Sequence, residues 1–482
     1  MITSELFPLA KAGGLADAVA DISLALAARG HDVRAILPRY YFIDRVALER
    51  LPVQLSLDPD GTLSVFQTHI GDEHGAVPVY LIDHEAAYGR DGIYGPPGGT
   101  GFTDNAWRFS LLPRAALELS RHLGWKPDVF HSHDWPAALT AAYLVESPYV
   151  EWFRDSRTTF TIHNLGYQGR FSFAEVSSLR LLPSTVLTSG LVEGDHLNFL
   201  KGALTGSDAL TTVSPTYARE IQSLALGFGL DPFIRGHRRG ITGILNGINY
   251  ETWNPATDPL IPLHYDAEHL EVKKLLARVL RWFVGLPQPE EGRRPIIGMV
   301  SRLVGQKGIE ELLAPEEPAL VRILTRLEVQ VVILGSTDAA RERTLLDLAD
   351  SFDNLSVTLG FDNRLAHLIE AASDFFLMPS RYEPCGLNQM YSMRYGTIPI
   401  VTHTGGLADT VVDVLSHPDR GTGYVIPGRS SRAIYETVSR AVADYSDAAE
   451  RIEEVRRRGM RQEFTWERAA AEYEKVYRGL LG

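Results

Sequence analysis

The sequence of 482 residues is short of cysteine, of positive charge and of long hydrophobic runs. Its one cysteine, Cys385, excludes an intramolecular disulfide framework and a metal site built from several cysteines. Acidic residues number 60 against 47 lysines and arginines, and the formal net charge of −13 argues against broad binding to nucleic acid or to an anionic membrane surface. No apolar run approaches membrane-spanning length, and the N-terminus lacks a basic segment followed by an apolar core. The sequence therefore predicts a cytoplasmic globular protein.

Several common nucleotide and metal motifs are also absent. There is no Gly-x-Gly-x-x-Gly after a strand and no Gly-x-x-x-x-Gly-Lys-Ser/Thr, and His84-Glu85 lacks the second histidine of a zinc peptidase. The segment Asp58-Pro59-Asp60-Gly61 resembles an Asp-x-Asp metal motif. Because it stands between two strand-like runs, its Pro-Asp-Gly chemistry favours a turn instead.

The chain is long enough for two domains, and β-rich runs alternate with helical patterns in both halves. This alternation predicts an α/β fold with two Rossmann-like, doubly wound domains. We place the boundary close to Gly243–Asn246, with an N-terminal domain at 1–243 and a C-terminal domain at 244–463. The remaining residues, 464–482, form an amphipathic helix able to pack on either domain.

The secondary structure can be assigned in outline. Strands are predicted at 33–37, 79–82, 128–131, 158–162, 209–213, 296–300, 330–334, 356–359, 375–378 and 398–401. Helices are predicted at 105–121, 136–145, 268–283, 339–351, 364–372 and 387–395. A Gly- and Pro-rich stretch at 95–101 is interpreted as a flexible loop, and a polar break is placed at 287–292.

The pentapeptide Gly-Gly-Leu-Ala-Asp occurs twice, at 13–17 and 405–409, and each copy stands before a helix-like stretch, at 18–22 and at 410–414. Two glycines before a helix leave backbone N–H groups uncovered at its positive end, which suits an anionic ligand such as phosphate. A plain turn and a chance repeat explain the pentapeptides equally well. One copy per half suggests a phosphate-handling site between two domains.

Polar residues follow two predicted strands of the first half. His131 and His133 would lie on one side of an extended chain, so a metal site is conceivable, but no third ligand stands at a telling spacing and a sugar-binding or structural role is favoured. Asp134 beside Trp135 pairs a carboxylate with an aromatic face, which suits sugar hydroxyls and ring C–H groups. His163 ends the next strand at the edge that faces the ligand crevice, where it can donate to a sugar hydroxyl, carry a proton or serve a structural role.

The second half carries cations and a carboxylate at comparable places. Arg302 and Lys307 follow its first strand, as a pyrophosphate leaving group would require; two solvated surface cations are the alternative. Glu383 lies in a turn between a strand and a helix, shaped by Gly386. Cys385 is predicted to be a buried small residue rather than a nucleophile.

Together these motifs resemble the bacterial and plant glycogen (starch) synthase family. These enzymes are retaining glucosyltransferases of the GT-B type, whose two Rossmann-like domains face a deep interdomain cleft. The resemblance covers nearly the whole chain in the expected order. The matching stretches are 5–17, 133–135, 161–169, 212–220, 243–248, 301–303, 306–308, 379–387 and 404–410.

The resemblance implies a role for individual residues. It implies that Arg302 and Lys307 are cations on the pyrophosphate, that Glu383 lies near the transferred glucose, and that Asp134 and His163 are sugar and catalytic contacts. The substrate-binding residues that it implies are Lys11, Gly13, Gly14, Asp17, Asn246, Cys385, Gly386, Thr404, Gly405, Gly406 and Leu407. It implies neither a metal nor a cofactor.

The implied reaction moves glucose from ADP-glucose to the non-reducing 4-hydroxyl of an α-1,4-glucan such as glycogen, with retention of configuration. UDP-glucose stays open as the donor, because nucleobase choice depends on loop shape. Two further functions stay open. One is a glucan phosphorylase with lysine-bound pyridoxal phosphate, and the other is a non-catalytic glucan-binding protein, which has no need of a leaving-group site.

Overall fold

The computed structural model describes residues 1–72, 75–96, 99–289 and 294–482. The predicted loop at 95–101 and the predicted break at 287–292 therefore lie partly outside the described residues. The chain forms two compact units: unit 1 comprises Met1–Gly247 together with Thr465–Gly482, and unit 2 comprises Ile248–Phe464. The division after Gly247 falls slightly beyond the boundary placed from the sequence.

All ten strands for which the sequence predicted bounds are confirmed close to those positions, and the described residues contain seven further strands. In chain order they are β1 Ala35–Pro38, β2 Glu49–Ser56, β3 Thr62–Ile70, β4 Val77–Asp83, β5 Val129–His133, β6 Arg157–Ile162, β7 Arg170–Ser172, β8 Val192–Glu193, β9 His196–Asn198, β10 Ala209–Thr212, β11 Ile241–Gly243, β12 Ile296–Val300, β13 Gln330–Gly335, β14 Leu355–Leu359, β15 Phe375–Met378, β16 Ile398–Thr402 and β17 Tyr424–Ile426.

Helices connect most of these strands. They are α1 Gly14–Ala28, α2 Glu85–Tyr88, α3 Asn105–His122, α4 Thr140–Leu144, α5 Tyr149–Trp152, α6 Pro183–Thr188, α7 Phe199–Gly206, α8 Pro215–Glu220, α9 Asp231–Gly236, α10 Val272–Val284, α11 Ile309–Leu312, α12 Ala319–Arg326, α13 Ala339–Ser351, α14 Asn363–Ala372, α15 Asn388–Arg394, α16 Gly405–Thr410, α17 Ser431–Asp447, α18 Ala449–Met460 and α19 Trp466–Leu481. Single 3-10 turns lie at Arg45–Ala47, Trp135–Ala137 and Gly305–Lys307, and a longer 3-10 segment lies at Phe173–Leu179.

In unit 1 the first residues of the chain act as a central strand. The order β2-β3-β4-β1 forms one side and β5-β6-β10-β11 the other, and Ile2 bridges Ile36 of β1 and Ser132 of β5, parallel to both. The Ile2 N–H donates to the His131 carbonyl at 2.8 Å, and the Ile2 carbonyl accepts from the His133 N–H at 3.1 Å. Loops that follow Ile2, β5 and β6 therefore emerge at the same edge of this sheet.

In unit 2 the described strands form a fully parallel sheet in the order β14-β13-β12-β15-β16-β17. This is the doubly wound dinucleotide-fold order, in which the chain reverses direction across the sheet between its first and fourth strands, here β12 and β15. The inner strands β13, β15 and β16 are buried along their whole length, and β12 is buried except at Val300, as expected of a sheet covered by helices on both faces. The predicted fold class of two Rossmann-like α/β domains is confirmed.

Two helix predictions were partly wrong, one because the helix is interrupted and one because it begins later. The predicted helix at 136–145 is broken into a 3-10 turn and α4, because the N–H groups of Ala137 and Ala138 donate to carbonyl oxygens three residues back, those of Asp134 and Trp135, at 3.2 Å each. The predicted helix at 268–283 begins only at Val272. The Asp266 carboxylate accepts the N–H groups of Glu268 and His269 and holds that segment in a turn.

The segment Asp58-Pro59-Asp60-Gly61, which resembles an Asp-x-Asp metal motif, is a turn, as predicted. It connects the antiparallel strands β2 and β3. The Asp60 carboxylate accepts hydrogen bonds from Arg114 at 2.6 Å, from Arg180 at 3.0 Å and from Trp107 at 3.2 Å, and its side chain is 3% exposed. Asp60 therefore ties the hairpin to α3 and to the segment after Leu179.

The C-terminal helix α19 belongs to unit 1. Trp466, Ala470 and Tyr473 pack with Ala18 and Ile22 of α1 in one buried cluster. The Glu474 carboxylate also contacts the side-chain nitrogens of Arg29 and His31, just after the end of α1, each at 2.8 Å.

Candidate functional site

The point at which the sheet of unit 2 reverses carries three predicted site residues. Arg302 lies exposed two residues beyond β12, Lys307 ends the following 3-10 turn, and Glu383 comes in the loop after β15. In open parallel sheets, ligands bind outside the carboxyl ends of the strands at this reversal. The fold thus places these residues where a ligand of unit 2 is expected.

Lys307 and Glu383 form a direct ion pair. The Lys307 Nζ atom lies 2.5 Å from Glu383 Oε2, and the side chains are 20% and 6% exposed. The Ser380 hydroxyl donates to the same oxygen at 3.1 Å. The sequence indicated separate roles for these two residues, whereas the structure joins them in a largely buried pair, in which the attraction is stronger than at the surface.

Gly308 allows this pair to form. Its φ of +77° lies in the left-handed region, and a Cβ atom there would stand 2.1 Å from the Pro379 carbonyl oxygen. The 3-10 turn that carries Lys307 therefore packs directly on the backbone that leads to Glu383.

The second pentapeptide packs on the same loop. The Gly406 N–H donates to the Glu383 carbonyl at 3.1 Å. A Cβ atom would meet the Glu383 carbonyl oxygen at 1.8 Å from Gly405, and the Cys385 carbonyl oxygen at 2.0 Å from Gly406. Both glycines are therefore required by close backbone contact with the turn that bears Glu383.

The local conformation of this second copy differs from the expectation. The pentapeptide forms α16 itself, and the predicted helix-like stretch at 410–414 is wrong, because α16 ends at Thr410 and Val414 pairs with Gly423 instead. The N–H groups of Thr404 and Leu407 also donate to carbonyl oxygens of this segment, at 3.0 and 3.1 Å.

Cys385 and Gly386 contribute backbone geometry to the turn. The thiol of Cys385 is buried, at 5% exposure, and the Gln389 amide donates to both residues' carbonyl oxygens, at 3.2 and 3.0 Å. Gly386 has a φ of +70°, which only glycine adopts readily. Gln389 anchors this turn from the first turn of α15.

In unit 1 the first pentapeptide is covered by an internal carboxylate. Glu5 is 4% exposed, and its Oε2 atom accepts the N–H groups of Ala12 at 2.6 Å and Gly13 at 2.8 Å. Its Oε1 atom accepts the Tyr94 hydroxyl at 2.7 Å. The Gly13 N–H is therefore occupied by Glu5, and the helix begins at Gly14, inside the pentapeptide rather than after it.

Lys11 and Asp17, both predicted to bind substrate, contact each other. Lys11 Nζ lies 2.8 Å from the Asp17 carboxylate, and the lysine side chain is 41% exposed. Next to them is a cavity of about 330 Å³. It is lined by Lys11, Ala12, Phe42, Asp91, Gly92, Ile93, Tyr94, Gly95, Pro96, Gly99 and Gly101.

Asp134 and His163 also lie together, at the carboxyl ends of β5 and β6. Asp134 has a φ of +55°, and its Oδ1 atom accepts the backbone N–H of His163 at 2.7 Å and that of Asn164 at 3.3 Å. Burial raises the pKa of the Asp134 carboxyl to about 7, although these N–H groups oppose the shift. Burial lowers the pKa of His163 to about 3, so this imidazole is neutral at physiological pH.

His131 and His133, which the sequence offered as a conceivable metal pair, bind protein groups. The His131 nitrogens contact the Tyr477 hydroxyl at 2.7 Å and the Thr161 hydroxyl at 2.6 Å. His133 Nδ1 contacts His163 Nε2 at 3.0 Å. In the described part of the chain, no group of three or more His, Cys, Asp or Glu side chains could hold a metal ion.

Sequence reasoning missed three residues of these clusters. Glu5 was quoted only as part of a matching stretch, Tyr94 was not singled out, and His133 was given a sugar-binding or structural role without a partner. A carboxylate eight positions before a Gly-Gly pair carries no local signal, since its contact depends on how the loop folds back. Asn246, predicted to bind substrate, is buried beside the end of unit 1 at Gly247.

Two Rossmann-like units, each with polar groups at the carboxyl ends of its strands, are the architecture of glycosyltransferases of the GT-B class, and the comparisons with known proteins place the chain in that class. Residues 1–236 match the family described as "starch synthase catalytic domain", and residues 287–458 match the family described as "glycosyl transferases group 1". The chain is 45% identical to a glycogen synthase of Treponema denticola, over 99% of this chain and 97% of the relative. It is 42% identical to glycogen synthase 1 of Methylococcus capsulatus, over 100% and 96%. The chain therefore belongs to the glycogen (starch) synthase family.

Solved structures agree with this assignment. The catalytic domain of starch synthase IV from Arabidopsis thaliana, bound to ADP and acarbose, superposes with a TM-score of 0.88 at 34% identity, over 99% of this chain and 98% of that one. Sucrose-phosphate synthase from Thermosynechococcus elongatus shares the fold, with a TM-score of 0.59 at 19% identity over 100% and 96%. Within the described ranges, no helix has the length and apolar character needed to cross a membrane.

Proposed function

We propose that the protein transfers glucose from ADP-glucose to the non-reducing 4-hydroxyl of an α-1,4-glucan, with retention of configuration. The observation that carries this proposal is the Lys307–Glu383 pair, set at the strand reversal of unit 2 in a chain of this family. The plant relative at 34% identity binds ADP and acarbose, which supports a nucleoside diphosphate donor and a glucan acceptor here.

Lys307 and Arg302 are the cations that would stabilise the departing diphosphate. Charge builds up on the leaving oxygen as the glycosidic bond breaks, and an ammonium already held in a partly buried site needs little reorganisation to meet it. Glu383 keeps the ammonium oriented in the absence of substrate. Removing one such charge-stabilising group typically lowers kcat by about 10²–10³-fold.

Glu383 is better suited to bind the glucose than to attack it. Its Oε2 atom is occupied by Lys307 and Ser380, which stabilise the carboxylate, while Oε1 is the oxygen that can accept a sugar hydroxyl. A retaining glycosidase needs a second carboxyl group as acid and base, about 5 Å from the nucleophile. We propose instead that the departing phosphate takes the proton of the acceptor hydroxyl while the site stabilises an oxocarbenium-like state.

The carboxyl-edge residues of unit 1 would serve the same reaction. The Asp134–His163 pair offers a neutral imidazole and a carboxyl group, both suited to sugar hydroxyls. The cavity beside Lys11 is lined by the exposed Phe42 ring and by Tyr94, a combination of aromatic surface and polar groups that suits a sugar ring.

The test is a transfer assay with a glycogen primer and radiolabelled ADP-glucose or UDP-glucose in parallel. Lys307→Ala should lose about 10²–10³-fold in kcat. Lys274→Ala, at an exposed lysine of the same unit, is the matched control and should keep wild-type activity. Wild-type transfer from UDP-glucose alone would overturn the donor assignment, and full activity in Lys307→Ala would overturn the site.

The alternative functions predict different results, in this assay and in two further measurements. A phosphorylase would release glucose 1-phosphate from glycogen and inorganic phosphate, and would carry a chromophore absorbing in the near ultraviolet or visible. A binding protein would be retarded in affinity electrophoresis through a gel that contains glycogen, but would release no nucleoside diphosphate from a nucleotide sugar.

A further inference from the structure

His133 joins His163 to the first residue of the chain. Its Nδ1 atom lies 3.0 Å from His163 Nε2, and its Nε2 atom lies 3.5 Å from the Met1 thioether sulfur. The His133 ring is 1% exposed, so these two contacts are made away from water. The imidazole therefore has one polar partner at each nitrogen.

These partners determine which nitrogen of His133 carries hydrogen. Burial lowers the pKa of His133 well below its usual range, and the neighbouring His131 and His163 act in the same direction, so the ring is neutral and holds one N–H. A thioether sulfur has no hydrogen and can only accept. The hydrogen of His133 accordingly sits on Nε2, toward Met1, and Nδ1 presents a lone pair to His163.

The His133 tautomer determines the tautomer of His163 in turn. A lone pair on His133 Nδ1 can be met at 3.0 Å only by an N–H on His163 Nε2. Because neutral His163 carries one ring hydrogen, its Nδ1 atom is then an acceptor. The backbone of His163 is held independently, by the Asp134 carboxylate at 2.7 Å.

His131 does not compete for this hydrogen bond. Its ring lies 4.1 Å from that of His133, centroid to centroid, with the planes 32° apart. Both of its nitrogens contact hydroxyl groups, on Tyr477 and Thr161, which can each donate or accept. His131 therefore packs against His133 without fixing its tautomer.

We propose that His133 is a positioning residue that holds His163 as the Nε2–H tautomer, so that His163 Nδ1 accepts a hydrogen bond from a sugar hydroxyl instead of donating one. The role in sugar binding rests on the proposed function, whereas the tautomer does not. The Nε2 atom of His163 then bonds the protein, and its Nδ1 atom is left for the substrate.

The tautomer is measured directly on unliganded protein labelled with nitrogen-15 histidine. Long-range proton–nitrogen correlation spectra distinguish a protonated from an unprotonated ring nitrogen, and His163→Gln identifies the His163 signals by their loss. We expect protonated Nε2 and unprotonated Nδ1 on His163. Protonated Nδ1 on wild-type His163 would overturn the inference whether or not the protein transfers glucose.

Two substitutions separate positioning from filling space. His133→Asn places an amide oxygen close to the former Nδ1 and can still accept from His163, while His133→Gln places its amide closer to the former Nε2 and Met1. We expect His133→Gln to mix the His163 tautomers and to transfer glucose about 10-fold less efficiently than His133→Asn, in line with one lost hydrogen bond. Thermal unfolding of the two variants should agree.

The outcomes distinguish this inference from the proposed function. Equal transfer and equal His163 spectra in the two variants would contradict a positioning role. A wild-type protein with the expected tautomer but no transfer from any nucleotide sugar would contradict the proposed function and leave the tautomer assignment standing.

Discussion

The Oε2 atom of Glu5 lies 2.8 Å from the backbone nitrogen of Gly13. A carboxylate of the protein thus occupies the anion-binding backbone that a Gly-Gly pair presents, and it does so in the first of two identical pentapeptides. In the second copy, the Glu383 carbonyl accepts the N–H of Gly406. The same pentapeptide therefore donates a glycine N–H to a side-chain carboxylate in unit 1 and to a backbone carbonyl in unit 2.

Glu5→Gln should destabilise the Lys11 loop. The Glu5 carboxylate accepts three hydrogen bonds through its two oxygens, whereas a glutamine side chain has only one oxygen that can accept. Charge-assisted hydrogen bonds are also stronger than neutral ones. We therefore expect the free energy of unfolding to fall by about 1–2 kcal/mol. Urea denaturation measures the change. Glu85→Gln, at a side chain 70% exposed, is the control, and equal stability of both variants would contradict the assigned contact.

Gly406→Ala should abolish most transfer activity. The new Cβ would stand 2.0 Å from the Cys385 carbonyl oxygen, so the turn that bears Glu383 must shift. A displacement of about 1 Å in a catalytic group can lower the rate about 10²-fold. The measurement is kcat for glucose transfer; Gly428→Ala, where a Cβ meets no atom within 4 Å, should be unaffected.

Asp60→Asn should cost stability at neutral pH and remove part of the acid sensitivity. Burial alone would raise the pKa of Asp60, but hydrogen bonds from Arg180 and Arg114 lower it overall. Its contribution is therefore present above the unfolded pKa of about 4 and is lost as the pH falls through the lower folded value. Breaking a buried ion pair costs about 3–5 kcal/mol, which unfolding curves at several pH values would show. The exposed Asp58→Asn variant should match the wild type.

Glu370→Gln should stabilise the protein in alkali. Glu370 is 1% exposed, and burial raises the pKa of its carboxyl to about 8, with hydrogen bonding from Ser392 and the charge of Lys273 acting in opposition. The folded state thus keeps a proton that the unfolded chain loses near pH 4.5, so wild-type stability falls as the pH rises toward 8. The glutamine variant lacks this slope in unfolding measured from pH 5 to pH 9. An unchanged slope, or the same change in exposed Glu454→Gln, would count against a protonated Glu370.

The strands could be predicted because their sequences carry the signal locally. Buried parallel strands such as β13 are uninterrupted runs of β-branched and aliphatic residues, and the polar residues that follow them mark the carboxyl edge. Helix ends were predicted less well, since a side chain such as Asp266 holds its segment in a turn through hydrogen bonds to backbone N–H groups that periodicity does not register.

Pairing within the site was not predictable in the same way. Lys307 and Glu383 are 76 positions apart, and tertiary contacts bring them together: the pairing of β12 with β15, the Arg381 N–H donating to the Gln306 carbonyl at 2.8 Å, and the packing of Gly308 on Pro379. The residue types at the strand ends were informative because chemistry restricts them. Their partners depend on tertiary contacts, as Glu5 and His133 illustrate.

The return of α19 to unit 1 affects how the protein can be made. Trp466, Ala470 and Tyr473 complete a hydrophobic cluster whose other half, Ala18 and Ile22, lies in the first helix of the chain. A ribosome synthesises domains from the N-terminus, and most can fold as they emerge. Here the cluster on α1 cannot be completed until α19 has left the exit tunnel, by which time all of unit 2 has been synthesised, and nascent chains halted before Trp466 lack the residues that cover this face of α1.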